Sequence, residues 1–283
     1  MNRVTIGLCT VSTRTENYLL DTLSSLLDNL SIEAQQEVQI VLFDCDATAE
    51  ESASILETRT QFGTEIERGL IEIIRTNPSD YPDLTNLPST LSDSPERIYW
   101  RTKQCLDYSL IFQYCAGKGA YYLHLEDDVI CAENFYAKMW TDIQRFPDAD
   151  WSALQFCELG FIGMLFKDGD LNKIASFMQT FCDEMPVDWL ISYFFELRRR
   201  QGQEFIQVER SLFQHIGYHS SLDGKTSTFR SKLFDRFSLH DQLGQYRGAS
   251  AISQVLSRGF LTYRKARSSV KRVLKPNDGI KDA

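Results

Sequence analysis

Short apolar runs and stretches of helical periodicity take turns along most of this chain, and that alternation restricts its fold more than any other feature. A strand that leads through a helix into the next strand returns to the same sheet as a parallel neighbour. Repeated alternation therefore predicts a mostly parallel sheet with helices on both faces, an α/β fold. Val4 to Thr10 is the first strand. Thr13-Arg-Thr-Glu16 has the form of a capping box, and Tyr18, Leu19, Thr22, Leu23, Leu26, Leu27 and Leu30 then recur at helical spacing. Val38 to Phe43 is a second strand that ends at Asp44-Cys-Asp46, and a second capping box, Thr48-Ala-Glu-Glu51, predicts the next helix start. Leu70 to Ile74 reads as a strand, Glu96 to Tyr114 as a helix closed by Gly117, and Ala120 to Leu125 and Trp151 to Phe156 as two more strands. Asn77 to Ser94, rich in Pro, Asp, Asn and Ser, is longer than an ordinary connection, as loops that help build a site are.

The strand Ala120-Tyr-Tyr-Leu-His-Leu125 delivers Glu126, Asp127 and Asp128 to its carboxyl end, the edge at which open α/β sheets bind ligands. Three adjacent carboxylates repel one another. They are either a solvated acidic turn, where high dielectric makes the repulsion small, or the protein part of a divalent cation site.

Charge is divided unevenly. Residues 226–283 carry 12 Lys or Arg against 4 Asp or Glu, a balance of +8, and residues 1–225 carry 18 against 35, or −17. The contrast predicts a body over 1–225 and a basic, helical extension over 226–283. Arg258 to Arg267 and Val270 to Leu274 interleave cations with apolar residues. That pattern fits a helix on a membrane surface and equally a basic helix packed on an acidic body. The acidic body and the lack of a recognisable module speak against nucleic-acid binding. Met1 to Thr10 runs directly into strand pattern, so neither a signal peptide nor a membrane span is expected. Seven cysteines without a C-x-x-C pair read as reduced thiols in a cytoplasmic protein.

Other cofactor motifs fail on spacing. No G-x-G-x-x-G follows the first strand, and Gly224-Lys-Thr226 has His219 where a P-loop needs its first glycine. His215 and His219 have the spacing of helical zinc ligands, but Ser211 to Tyr218 reads as strand and turn, so a zinc pair is not expected.

Several segments together carry a resemblance. Tyr81-Pro-Asp-Leu-Thr-Asn-Leu87, Trp100-Arg-Thr-Lys-Gln104, Leu125-Glu-Asp-Asp128, Leu159-Gly-Phe-Ile-Gly163, Asp188-Trp-Leu190 and Ser211-Leu-Phe-Gln-His-Ile-Gly217 resemble, in order, the catalytic domain of N-acetylglucosaminyltransferase IV. The resemblance implies a GT-A glycosyltransferase fold, with a Rossmann-like sheet. It also implies inverting transfer of N-acetylglucosamine from UDP-GlcNAc to an acceptor sugar hydroxyl with Mn2+ or Mg2+, with a β-1,4 linkage to mannose as the expected product. Asp128 then holds the metal, Asp127 the ribose or metal shell, and Glu126 the donor sugar.

His215 is the candidate second protein ligand, since manganese accepts imidazole, and a hydrogen-bonded core histidine is its alternative. Asp188 is the candidate base, with helix capping as its alternative and Glu158 and Asp183 as rival acids. Arg101 and Lys103 are candidates for the leaving diphosphate, and a basic helix face is an adequate structural explanation of both. Thr10, Val11, Arg14 and Asp44, at the ends of the first two strands, are expected to meet uridine and ribose. The acceptor is a glycan or a lipid-linked sugar, and the basic extension would suit contact with the inner membrane surface. A sugar-nucleotide or glycan-binding protein without turnover, a transferase of another UDP-sugar and a two-metal phosphohydrolase are the competing readings.

Overall fold

A computed structural model describes residues 2–12, 16–48, 50–219, 221–222 and 226–234. In chain order the elements are β1 (Asn2–Thr10), α1 (Leu19–Asp28), α2 (Ile32–Gln35), β2 (Val38–Asp44), α3 (Ala53–Gln61), α4 (Gly63–Glu67), β3 (Ile71–Arg75) and α5 (Pro95–Cys115). They continue with β4 (Gly119–Glu126), β5 (Val129–Cys131), α6 (Phe135–Arg145), β6 (Trp151–Gln155), β7 (Met164–Lys167), α7 (Leu171–Thr180), α8 (Val187–Arg199), β8 (Glu204–Gln207) and β9 (Phe213–His215).

Seven strands form one sheet in the order β3-β2-β1-β4-β7-β6-β8. β1 is parallel to both β2 and β4, β2 to β3, and β6 to β8, and only β7 runs against its two neighbours. The expected α/β architecture, a mostly parallel sheet flanked by helices, is therefore present.

Side chains alternate across the pleat, so each strand feeds two cores. Ile40 and Leu42 of β2 join Val4, Ile6 and Leu8 beneath α1 and α6, while Val41 and Phe43 join the core under α5, α7 and α8. On that second face β1 offers Gly7, where a Cβ would stand 2.1 Å from the Tyr122 hydroxyl, so the tyrosine ring occupies the space a side chain would need. All seven cysteines are free and five are buried. No helix among the described residues is long and apolar enough to cross a membrane.

Two helix starts differ from the sequence expectation. α1 begins at Leu19 after Tyr18, and Thr13 lies outside the described residues. α3 begins at Ala53, capped by Ser52, whose hydroxyl accepts from the Ile55 amide. Thr48 does not cap it because its hydroxyl donates to the Glu50 carbonyl, and Glu51 is held by a two-pronged bond from Arg59.

The packed body also runs past the boundary expected after residue 225. Phe234 is 4% exposed within the first core and bridges to Ser211, and Glu158 accepts from the Ser231 hydroxyl and the Lys232 amide. The remainder of the basic extension, 235–283, lies outside the described residues.

Candidate active site

β4 ends at Glu126, and a two-residue turn of Asp127 and Asp128 leads straight into β5. Thr22 of α1 fixes that turn: its hydroxyl donates to the Asp127 carbonyl at 2.8 Å and accepts from the Val129 amide at 3.0 Å. The Asp127 carboxylate accepts from the Thr10 hydroxyl at the end of β1, at 2.6 Å. β5 pairs antiparallel with β9, and the register sets His215 opposite Val129. The Ile216 amide closes the ladder on the Asp128 carbonyl at 2.8 Å.

This pairing brings His215 Nε2 to 3.1 Å from Asp128 Oδ2. Glu126, Asp128 and His215 each present one donor atom, all within 4.8 Å of one another. Two carboxylates and an imidazole suit a hard divalent cation of the manganese type. Room for them exists because residue 217 is glycine: a Cβ there would stand 2.1 Å from Asp128 Oδ2. Burial alone would lower the His215 pKa, but the Asp128 carboxylate, with Glu126 behind it, outweighs that and raises it, and Arg230 works in the opposite sense. His215 Nδ1 is buried without a hydrogen-bond partner. His219 is directed elsewhere, 3.9 Å from Glu16, and does not join His215 in a pair of ligands.

The remaining expected residues separate into two groups. Thr10 touches Asp127, Val11 packs on the second core, and Asp44 lies buried at the end of β2. The Asp44 carboxylate accepts from Arg75 and the Asp46 amide; burial raises its pKa and those two contacts partly offset the rise. Arg14 lies outside the described residues.

Arg101 and Lys103 are placed differently from the expectation that they meet a diphosphate. Arg101 is fully buried, paired with Asp93 at 3.2 Å and donating to the Asp183 carbonyl and the Thr90 hydroxyl, so its charge ties the 77–94 loop to the segment before α8. Lys103 donates to both Asp107 oxygens at 2.9 Å, to the Cys45 carbonyl at 2.7 Å and to the Tyr81 hydroxyl at 3.4 Å, so its ammonium group is enclosed by internal acceptors.

Asp188 is exposed in the first turn of α8. Pro186 is the N-cap, so capping is not what Asp188 does, although the helix dipole there favours a carboxylate. Asp188 lines a cleft of about 450 Å³ whose wall includes Gly160. A Cβ on Gly160 would lie 3.9 Å from Glu126 Oε1, so the cleft borders the acidic cluster at that point. Of the rival acids, Glu158 is bound to Ser231 and Lys232, and the Asp183 carbonyl holds Arg101 and Thr90.

Two residues of the site were not singled out from sequence. Gly217 stood inside a recognised segment, and only its contact with Asp128 explains it. Arg230 donates to the Ile216 carbonyl at 3.2 Å and feels the Asp128 charge, from a stretch that composition assigned to the extension.

A family model described as the MGAT4 conserved region matches residues 1–234. The alpha-1,3-mannosyl-glycoprotein 4-beta-N-acetylglucosaminyltransferase A of Xenopus tropicalis is 37% identical over 250 residues, 84% of this chain and 47% of that protein. The corresponding B protein of Homo sapiens is 35% identical over 252 residues, 84% of this chain and 46% of that one. The chain thus spans about half the length of the curated relatives it matches. Among solved structures, a mannosyltransferase of Pyrobaculum calidifontis in complex with GDP-Man and Mn2+ aligns with a TM-score of 0.47 and 10% identity, over 73% of this chain and 54% of that one.

Proposed function

This chain belongs to the family defined by the MGAT4 conserved region, and on that premise we propose that it is an inverting, metal-dependent glycosyltransferase of GT-A fold. It transfers N-acetylglucosamine from UDP-GlcNAc to a hydroxyl of a mannose-bearing acceptor through a β-1,4 linkage, and it acts in the cytoplasm. The observation that carries the reading is the convergence of Glu126, Asp128 and His215 from two distant parts of the chain.

Asp128 and His215 would hold Mn2+ or Mg2+, which when bound supplies positive charge to the diphosphate. Asp127, braced by Thr10, faces the ribose, and Glu126 lies between the metal ligands and Gly160, where the donor sugar meets the cleft. Asp188 takes the proton of the acceptor hydroxyl as that oxygen attacks the anomeric carbon. The new carbon–oxygen bond forms opposite the one that breaks, whose electron pair stays on the β-phosphate oxygen of UDP, so the α-linked donor yields a β-linked product.

UDP release from UDP-GlcNAc in the presence of Mn2+ and a mannoside tests the reading. The unaltered protein should release UDP and form a β-linked product detectable by NMR, and Asp128→Ala should lose both. Release of inorganic phosphate in place of UDP, or tight UDP binding without turnover on any mannoside, sinks it.

A further inference from the structure

We infer that Arg230 meets the β-phosphate of the departing diphosphate and that residues 226–234 form the strap that holds it there, an inference that rests on the transferase reading above. Arg101 and Lys103 do not serve that purpose, since internal acceptors enclose both. A leaving diphosphate still needs fixed positive charge, because the electron pair of the broken carbon–oxygen bond stays on its β-phosphate.

Arg230 differs from the other arginines. Every other described arginine has a carboxylate at salt-bridge distance except Arg68, which is exposed and bonds to Gln35. Arg230 has no carboxylate among the described residues. Its Nη1 donates to the Phe229 carbonyl at 2.7 Å and its Nη2 to the Ile216 carbonyl at 3.2 Å, while Nε is buried without an acceptor. A half-buried guanidinium with an idle donor and no counter-ion is unfavourable in the protein alone, and an oxyanion supplies both acceptor and charge.

Its position selects the ligand. Ile216, whose carbonyl takes Nη2, gives its own amide to the Asp128 carbonyl at 2.8 Å and stands between His215 and Gly217. Burial lowers the Arg230 pKa, and the charge of Asp128 works against that fall. The guanidinium therefore stands beside the acidic cluster without pairing to it, where an anion that shares a metal with Asp128 would lie. Of the parts of a nucleotide sugar, only the diphosphate carries charge.

The strap is fastened on both sides of Arg230. Before it, the Ser227 amide donates to the Tyr218 carbonyl at 2.7 Å. After it, Glu158 accepts from the Ser231 hydroxyl and the Lys232 amide, each at 2.8 Å, and the Leu233 carbonyl accepts from the Ser211 amide at 3.1 Å. Phe234 then enters the first core. Glu158 is thus a positioning residue: it holds the two residues that follow Arg230 and acts on the diphosphate only through that guanidinium.

Calorimetric titration of the full chain with UDP and with UMP, both in the presence of Mn2+, tests this, since UMP lacks the β-phosphate. Arg230→Gln should weaken UDP binding by about 30-fold and UMP binding by about threefold or less, with Mn2+ affinity in the absence of nucleotide unaltered. Arg230→Lys keeps the charge without the planar fork, and should lose only about fivefold for UDP and nothing for UMP. Glu158→Ala should weaken UDP by about fivefold, and that loss should vanish in the Arg230→Gln background, because both changes act through one contact. Unchanged UDP affinity in Arg230→Gln, equal losses for UDP and UMP in either Arg230 variant, or a Glu158→Ala loss that persists beside Arg230→Gln overturns the inference while Mn2+-dependent UDP binding by the unaltered protein remains. Absence of that binding in the unaltered protein removes the transferase reading, and this inference with it.

Discussion

The two sides of the site are built in opposite ways. On the β4 side Asp127 and Asp128 are 4% and 2% exposed, and the turn that carries them is bonded to α1, to β1 and to the β5–β9 ribbon. On the α8 side the acids sit on the outer face of one helix and the start of one short strand, with the Glu196 side chain 45% exposed. A buried carboxylate tolerates few alternative geometries, as the proposed site for a small ion and a diphosphate of fixed shape would require. An exposed carboxylate can adjust at little cost, as the role proposed for Asp188 toward an acceptor hydroxyl would require. Rigidity and tolerance thus fall to different elements of the fold.

Substitutions on either side can break this contrast. The largest effect is expected on the open side. Asp188→Asn should lower kcat by about 10²–10⁴-fold, the range of a positioned general base, and leave Mn2+ affinity unaltered in a calorimetric titration. A variant that instead lost the metal would join Asp188 to the closed side.

Gly217→Ala tests the closed side. Its methyl group collides with Asp128 Oδ2 and cannot be accommodated without displacing that carboxylate. We expect Mn2+ affinity and turnover to fall together by about 10²-fold, the cost of a misplacement near 1 Å, with the circular dichroism spectrum retained. Unchanged metal affinity would mean that Asp128 is freer than its burial implies.

A smaller effect concerns His124, on the strand that leads into the acids. It is fully buried, 4.2 Å from the Tyr108 ring and 5.0 Å from that of Phe161, with its Nδ1 2.9 Å from the Tyr122 hydroxyl. Burial lowers its pKa to about 3. Below the unfolded value near 6.5 the unfolded chain therefore binds a proton that the folded chain refuses, and stability falls as pH drops toward 3. The contribution should be roughly 2 kcal/mol between pH 8 and pH 5, read from urea midpoints against His124→Gln, which removes this titration. Parallel curves for the two proteins would show that the imidazole is hydrated and the strand less tightly enclosed.

Legibility in the sequence followed the same division. Five strands of the sheet were readable because an apolar run bounded by polar turns reports burial directly, whereas the four-residue strands β7 and β8 were too short to show a pattern, and Glu126, Asp128 and His215 came with the segments that resemble a known family. The capping boxes at Thr13 and Thr48 misled because a capping motif describes only local options, and Glu51 found a better partner in Arg59. Arg101 and Lys103 misled because sequence does not disclose which face of a long helix meets the ligand. Both point into networks that hold loops, Arg101 on Asp93 and Lys103 on Asp107. Gly217 and Arg230 were unreadable for a related reason: their significance lies wholly in contacts across the fold, with Asp128 and with the Ile216 carbonyl.

The ribbon of β5 and β9 acts as a ruler. Asp128 and His215 are far apart in sequence, yet their separation in space is set by the pairing of Val129 with His215 and by a bond from Ile216 to Asp128. The chain between them holds α6, β6, β7, α7, α8 and β8, and with them the whole wall on which Asp188 stands. Insertions or exchanges in that stretch alter the cleft without changing the span of the ruler. The Asp128–His215 distance is thus decoupled from the length and composition of the segment between them.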